Sequence, residues 1–211
     1  MNLKEHLVGS LSQAVEDVFS TMLGASIVPG EVTFENGAPD AHDGVLSFIG
    51  LAGSWAGTGC VSCSPVLACR VCSQMLMTEA TAVNEEVLDA VAELTNMIIG
   101  SVKNDLEREL GPLGLSIPTV VFGKNFRTKS AGHAEWIVRR FHWDSDAFEV
   151  KICLAPSEHP AGLQPHGFGQ ANQMGVRAIT GIRMSTAAGR DLAAAAQCDA
   201  RAGALWRMVT L

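Results

Sequence analysis

The sequence predicts an α+β domain, an antiparallel sheet with long helices packed on it. Three observations point there. Apolar residues recur at helical spacing in three stretches, while short β-branched or aromatic runs lie between Gly and Asp clusters. The resulting order is helix, strands, two helices, strands. The 211 residues are 47% hydrophobic, enough for a real core and too many for disorder throughout.

The first helix is expected over residues 3–23, where Leu3, Leu7, Leu11, Val15, Val18 and Met22 share a face and Gly24 follows as a C-terminal cap. After Pro29-Gly30, strands are expected at 31–34, 44–51 and 54–62, with a hairpin near Leu51-Ala52-Gly53. Ser64 and Pro65 supply an N-cap and an N1 proline for a helix to Met77, with Val66, Leu67, Val71, Leu76 and Met77 as its apolar content.

Asn84 then caps a longer helix with Glu85 and Glu86 in its first turn, running to Leu110 before Gly111-Pro112 stops it. Strands at 119–122, 135–141 and 148–154 complete the domain, joined by polar turns such as Asp144-Ser145-Asp146.

Composition changes near residue 156. Residues 156–211 have no Lys and are rich in Ala and Gly, with little apolar period to build a second core. The expectation is one domain over 1–155 and a poorly ordered, low-complexity tail over 156–211, with one short helix at 191–197.

A net charge of −7 and a pI near 5.3 argue against nucleic acid or an anionic membrane surface as partners and favour a basic protein. No run of apolar residues is long enough for a membrane helix, and MNLKEHLVGS lacks the layout of a signal peptide, so a cytoplasmic location is expected. Reducing conditions there would keep Cys60, Cys63, Cys69, Cys72, Cys153 and Cys198 as thiols or metal ligands.

On the long helix, Asp89, Glu93 and Asn96 sit at i, i+4 and i+7, within about 60° of one another, while Val87, Val91, Leu94 and Ile98 point the opposite way. Gly100 adds no bulk to this polar strip one turn on. Any amphipathic helix has such a face, so spacing alone identifies no site. The wider context does more: Asp89-Ala-Val-Ala-Glu93-Leu-Thr-Asn96-Met-Ile-Ile-Gly100 is followed by Pro118, with twenty-one residues between Asn96 and Pro118.

This pattern resembles the CheC/CheX/FliY chemotaxis phosphatases, whose signature is Asp or Ser, Glu four residues on, Asn three later and a proline some twenty-odd residues downstream. The resemblance runs loosely from the first helix to Leu154 and leaves the tail uncovered. One complete motif on a compact domain is closer to CheX than to the two-motif CheC members. In the first helix, Ser12, Glu16 and Phe19 repeat the frame with Phe in place of Asn. Phe19 cannot orient water, and it adjoins the apolar stripe.

The resemblance implies hydrolysis of the aspartyl phosphate on a CheY-like response regulator. In that scheme Asn96 orients the attacking water, Glu93 pairs with the regulator's lysine, and Asp89 and Gly100 flank the contact. Mg²⁺ would come with the regulator, with no cofactor bound by this chain. It also implies a homodimer paired through the sheets. A non-catalytic adaptor that binds a receiver domain through the same face is the alternative.

Cys60-x2-Cys63 and Cys69-x2-Cys72 invite a further alternative, a zinc site. Strand alternation puts Cys60 and Cys63 on opposite faces, which favours buried thiols instead. His133, Trp136, His142 and Trp143 suggest a ligand site, but alternation splits them too, and half-buried sheet positions explain them. The glycines between 50 and 59 lack the order of a phosphate loop and are expected to be turns.

Overall fold

The computed structural model describes residues 3–36, 42–129, 135–157, 183–186 and 207–210. Helices α1 (Leu3–Met22), α2 (Pro65–Leu76) and α3 (Glu85–Leu110) join strands β1 (Val28–Glu35), β2 (His42–Gly53), β3 (Trp55–Cys63), β4 (Leu113–Leu115), β5 (Thr119–Lys129), β6 (Trp136–Trp143) and β7 (Asp146–Pro156). Two further strands, β8 (Arg183–Thr186) and β9 (Arg207–Thr210), come from the tail. The fold is α+β, as expected.

The expected caps are in place. Ser64 Oγ accepts from the Leu67 N–H at 3.1 Å, and Asn84 Oδ1 accepts from the Val87 N–H at 3.0 Å. Gly111 closes α3 with φ 78°, its N–H donating to the Glu107 carbonyl.

The sheet order is β1-β6-β7-β3-β2-β5, every pair antiparallel, with β4 continuing beside β2, and β8 and β9 on the free edge of β5. The β2–β3 hairpin turns at Gly53-Ser54 and the β6–β7 hairpin at Asp144-Ser145. Those tail pairings and β4 went unanticipated, because the tail lacks apolar alternation and β4 has three residues. The helix expected at 191–197 lies outside the described residues.

All three helices pack on one face of the sheet, with α3 contacting α1, α2, β2, β3 and β5. Leu11, Val15 and Phe19 of α1, Leu67 and Val71 of α2, and Val91, Ile98 and Val102 of α3 meet Ile49, Val61, Val150 and Ile152 of the sheet in the main core. A smaller cluster of Leu46, Phe48, Cys60, Val121 and Phe126 occupies the opposite face.

Of the apolar content of the second helix, Val66, Leu76 and the C-cap Met77 are exposed, because Leu67, Ala68, Val71 and Cys72 make the buried arc and those three fall outside it. One expectation needs correction. The glycines 57 and 59 are not turns but lie within β3. A Cβ on Gly57 would stand 1.9 Å from the Cys153 carbonyl oxygen of β7, so only glycine fits that strand pairing.

Candidate functional site

The α3 face that escapes the core is narrow. Val87, Leu88, Ala90, Val91, Ala92, Leu94, Thr95, Ile98 and Ile99 are all buried, so packing surrounds most of the helix circumference. Asp89 and Glu93 are exposed, and Asn96 and Gly100 half-buried. The structure therefore brings the four expected positions together on one strip, about 10 Å long from Asp89 to Asn96 at 1.5 Å per residue.

Rigid neighbours hold this strip. A Cβ on Gly59 would come within 2.6 Å of Ile99 Cδ1, so the glycine lets α3 lie close on β3 beneath the segment that carries Asn96. Thr95, buried beside Asn96, donates its hydroxyl to the Val91 carbonyl at 2.8 Å. Sequence reading missed Gly59, although alternation from Cys63 and Val61 would have put it on the core face.

The chain after α3 returns to the end of the strip. A Cβ on Gly100 would lie 3.7 Å from Leu115 Cδ1, an ordinary contact. Ser116 fastens the segment to β2: its N–H donates to the Gly50 carbonyl at 2.9 Å, and its Oγ accepts from the Gly50 N–H at 2.9 Å. Pro118 is half-buried immediately before β5, where its fixed φ suits the entry to a strand.

Electrostatically the strip is negative. Glu85, Glu86, Asp89 and Glu93 all lie in the N-terminal part of α3, and the helix dipole favours the two in its first turn, Glu85 and Glu86. Among the described residues, no hydrogen bond or ion pair engages the side chains of Asp89, Glu93 or Asn96. Two exposed carboxylates and a carboxamide are thus free to meet groups brought by another molecule.

At the far end of α3, His6 of α1 is clasped by Asp105 (Nε2 to Oδ2, 2.9 Å) and Glu109 (Nδ1 to Oε2, 3.1 Å). The Glu109 contact is an ion pair without good hydrogen-bond direction. Burial opposes the charged imidazole, yet Glu109 and Asp105 outweigh it and raise the His6 pKa. A hydrogen bond from Ser10 does most to lower the Asp105 pKa, with His6 helping.

The cysteine quartet does not converge. Cys60 belongs to the cluster on the far face of the sheet, whereas Cys63, Cys69 and Cys72 lie in the main core. Burial raises all four thiol pKa values, those of Cys60 and Cys63 to about 12, which disfavours the thiolates a zinc site needs. Among the described residues, no group of three or more His, Cys, Asp or Glu is placed to hold a metal ion.

The aromatic group is split as well. Trp143 is buried in the main core, Trp136 packs on the far-face cluster, and His142 is exposed; His133 lies outside the described residues. Phe19, at the third position of the α1 frame, stacks on Phe148 with centroids 4.9 Å apart and meets Trp143 edge-on at 5.5 Å. It is a core residue.

Comparison with known proteins adds the family. The family model described as "Chemotaxis phosphatase CheX" matches residues 45–142, which include α3 and Pro118. The CheY-P phosphatase CheX of Thermotoga maritima is 30% identical over 127 residues, 60% of this chain and 79% of the relative. A CheC-like superfamily protein from Shewanella sp. PV-4 superposes with a TM-score of 0.65 at 26% identity, covering 74% of this chain and 99% of that one. The chemotaxis protein CheX from Desulfovibrio desulfuricans gives 0.64 at 25% identity over 71% and 99%. No helix among the described residues is long and apolar enough to cross a membrane. With this fold, this span of matched sequence and the strip inside it, the chain belongs to the CheX family of chemotaxis phosphatases.

Proposed function

We propose that this protein hydrolyses the aspartyl phosphate of a CheY-like response regulator, with Asn96 as the group that orients the attacking water. The observation that carries the reading is the strip of Asp89, Glu93 and Asn96, whose side chains are unpaired among the described residues and set on a helix buried around most of its circumference. The name of the Thermotoga maritima relative, a CheY-P phosphatase, supports the choice of substrate.

An acyl phosphate is already labile, so the catalyst need only place water in line with the bond that breaks. The water oxygen attacks phosphorus, the bond to the aspartyl oxygen breaks, and inorganic phosphate and a free carboxylate leave, the water protons passing to phosphate and solvent. Asn96 suits the task because its Oδ1 accepts a water proton while its Nδ2 donates to an oxygen within one planar unit.

A carboxylate at that point would repel the phosphoryl group. Glu93, one turn back, instead pairs with a lysine of the regulator through a charge-assisted hydrogen bond. Asp89 supports the contact at its rim, and Gly100 leaves room for the partner backbone. Magnesium belongs to the regulator in this scheme, since Asp89 and Glu93 alone make a poor metal site for this chain. Residues 1–155 form the working domain and pair as a homodimer, with 156–211 as an appendage.

The test is phosphate release from a phosphorylated regulator with wild type and Asn96→Ala. Accelerated release by the wild type alone supports the proposal. Binding without acceleration would make the protein an adaptor.

A further inference from the structure

The face of α2 turned away from the core carries more apolar surface than an isolated domain needs. Val66 is 69% exposed and Met77 94%. Val66, Arg70 and Ser73 follow at i, i+4 and i+7, so they line one side of the helix, and Met77 stands just past its end. Beside them runs a groove of about 370 Å³, its far wall made by residues 80–83, which lead directly into α3.

The groove is firmly built. Ala80 donates its N–H to Ser73 Oγ at 3.0 Å, folding the α2–α3 connection back over α2. Arg70, the cation in the wall, lies 3.7 Å over the Trp143 ring and pairs with Asp144 and Asp146, which cancel its charge. Met77 holds a left-handed backbone, φ 53°, with its side chain out in water, two costs that packing within the chain does not offset. Glu79, exposed, directly precedes the groove wall at Ala80, and the exposed Glu86 lies near enough to Cys72 of α2 to act on its thiol.

An apolar centre with an acidic rim calls for a partner surface that is apolar with lysine or arginine at its border. We infer that the groove docks the same regulator whose phosphoryl group meets Asn96, gripping such a segment beside the phosphorylated site. This inference rests on the proposed function. The start of α3 at Glu85, two residues past the groove wall at Val83, lies about 16 Å from Asn96 at 1.5 Å per residue. A receiver of roughly 100 residues, with a radius of gyration near 13 Å, spans that distance and can cover both.

The test measures dephosphorylation of CheY-P by the full chain carrying Val66→Asp or Ala82→Asp, one on each wall of the groove. Val28→Asp, at a comparably exposed position (64%) on β1, serves as control. Each groove variant should raise KM about tenfold while kcat stays within about twofold, and the control should leave KM unchanged. Unchanged KM in both groove variants, with an active wild type, overturns the groove and leaves the proposed function standing. A wild type that does not accelerate decay overturns that function instead. Titration with beryllofluoride-activated CheY then decides the groove. A Kd raised about tenfold in both variants supports it, whereas equal Kd values, or no binding by the wild type, overturn it.

Discussion

A Cβ on Gly59 would stand 2.6 Å from Cδ1 and 2.7 Å from Cγ1 of Ile99, which is fully buried three residues beyond Asn96. The whole Ile99 side chain, not merely its tip, occupies the space above the glycine. Gly59 thus sets the height of the site helix over the sheet.

Gly59→Ala is therefore expected to force Ile99 and α3 outward. Overpacking of this kind costs about 1–3 kcal/mol. Thermal melting should show a lower Tm, and dephosphorylation a lower kcat, because Asn96 shares the displaced turn. Gly59→Ala combined with Ile99→Ala, which clears the contact, should give back part of the kcat.

Glu93→Ala should weaken both binding and turnover. If Glu93 anchors a regulator lysine, KM rises by about tenfold or more at low salt, and the gap narrows as ionic strength rises. A salt series of KM for wild type and variant checks this. A gap that does not change with salt would argue against a charge contact.

The His6 clasp predicts a pH dependence of stability. The folded-state pKa of His6 is raised, so its contribution is complete below the unfolded value near 6.5 and is lost as pH climbs through the folded value. The chain should become less stable above neutrality by under about 1 kcal/mol, a small figure because Asp105 and Glu109 are partly exposed. Denaturant midpoints of wild type and His6→Gln should converge as pH rises.

Met77→Gly should stabilise the protein by about 0.5–1 kcal/mol, since glycine adopts the left-handed cap that Met77 now holds under strain. Chemical denaturation at fixed pH reads the gain.

Much of this architecture was legible in residue order. Ser64, Pro65 and Asn84 marked helix starts because their side-chain chemistry is local, and the α3 strip followed from spacing at 100° per residue. What spacing could not tell was how much of α3 the rest of the chain would cover, since Leu88, Ala92 and Ile99 are buried by tertiary neighbours.

The misreadings share a cause. Gly57 and Gly59 look like turn residues until the close approach of Cys153 and Ile99 is known. Apolar content alone does not say which residues of α2 are covered, and Val66 and Met77 fall outside its buried arc. β8 and β9 pair through backbone on the edge of β5, which requires no apolar pattern in their own sequence.

If Asn96 orients the attacking water, its removal must show in the decay of phosphorylated CheY. Wild type should accelerate that decay, and Asn96→Ala should lose about 100-fold or more in kcat while retaining most binding. Equal decay rates with wild type and variant would contradict it.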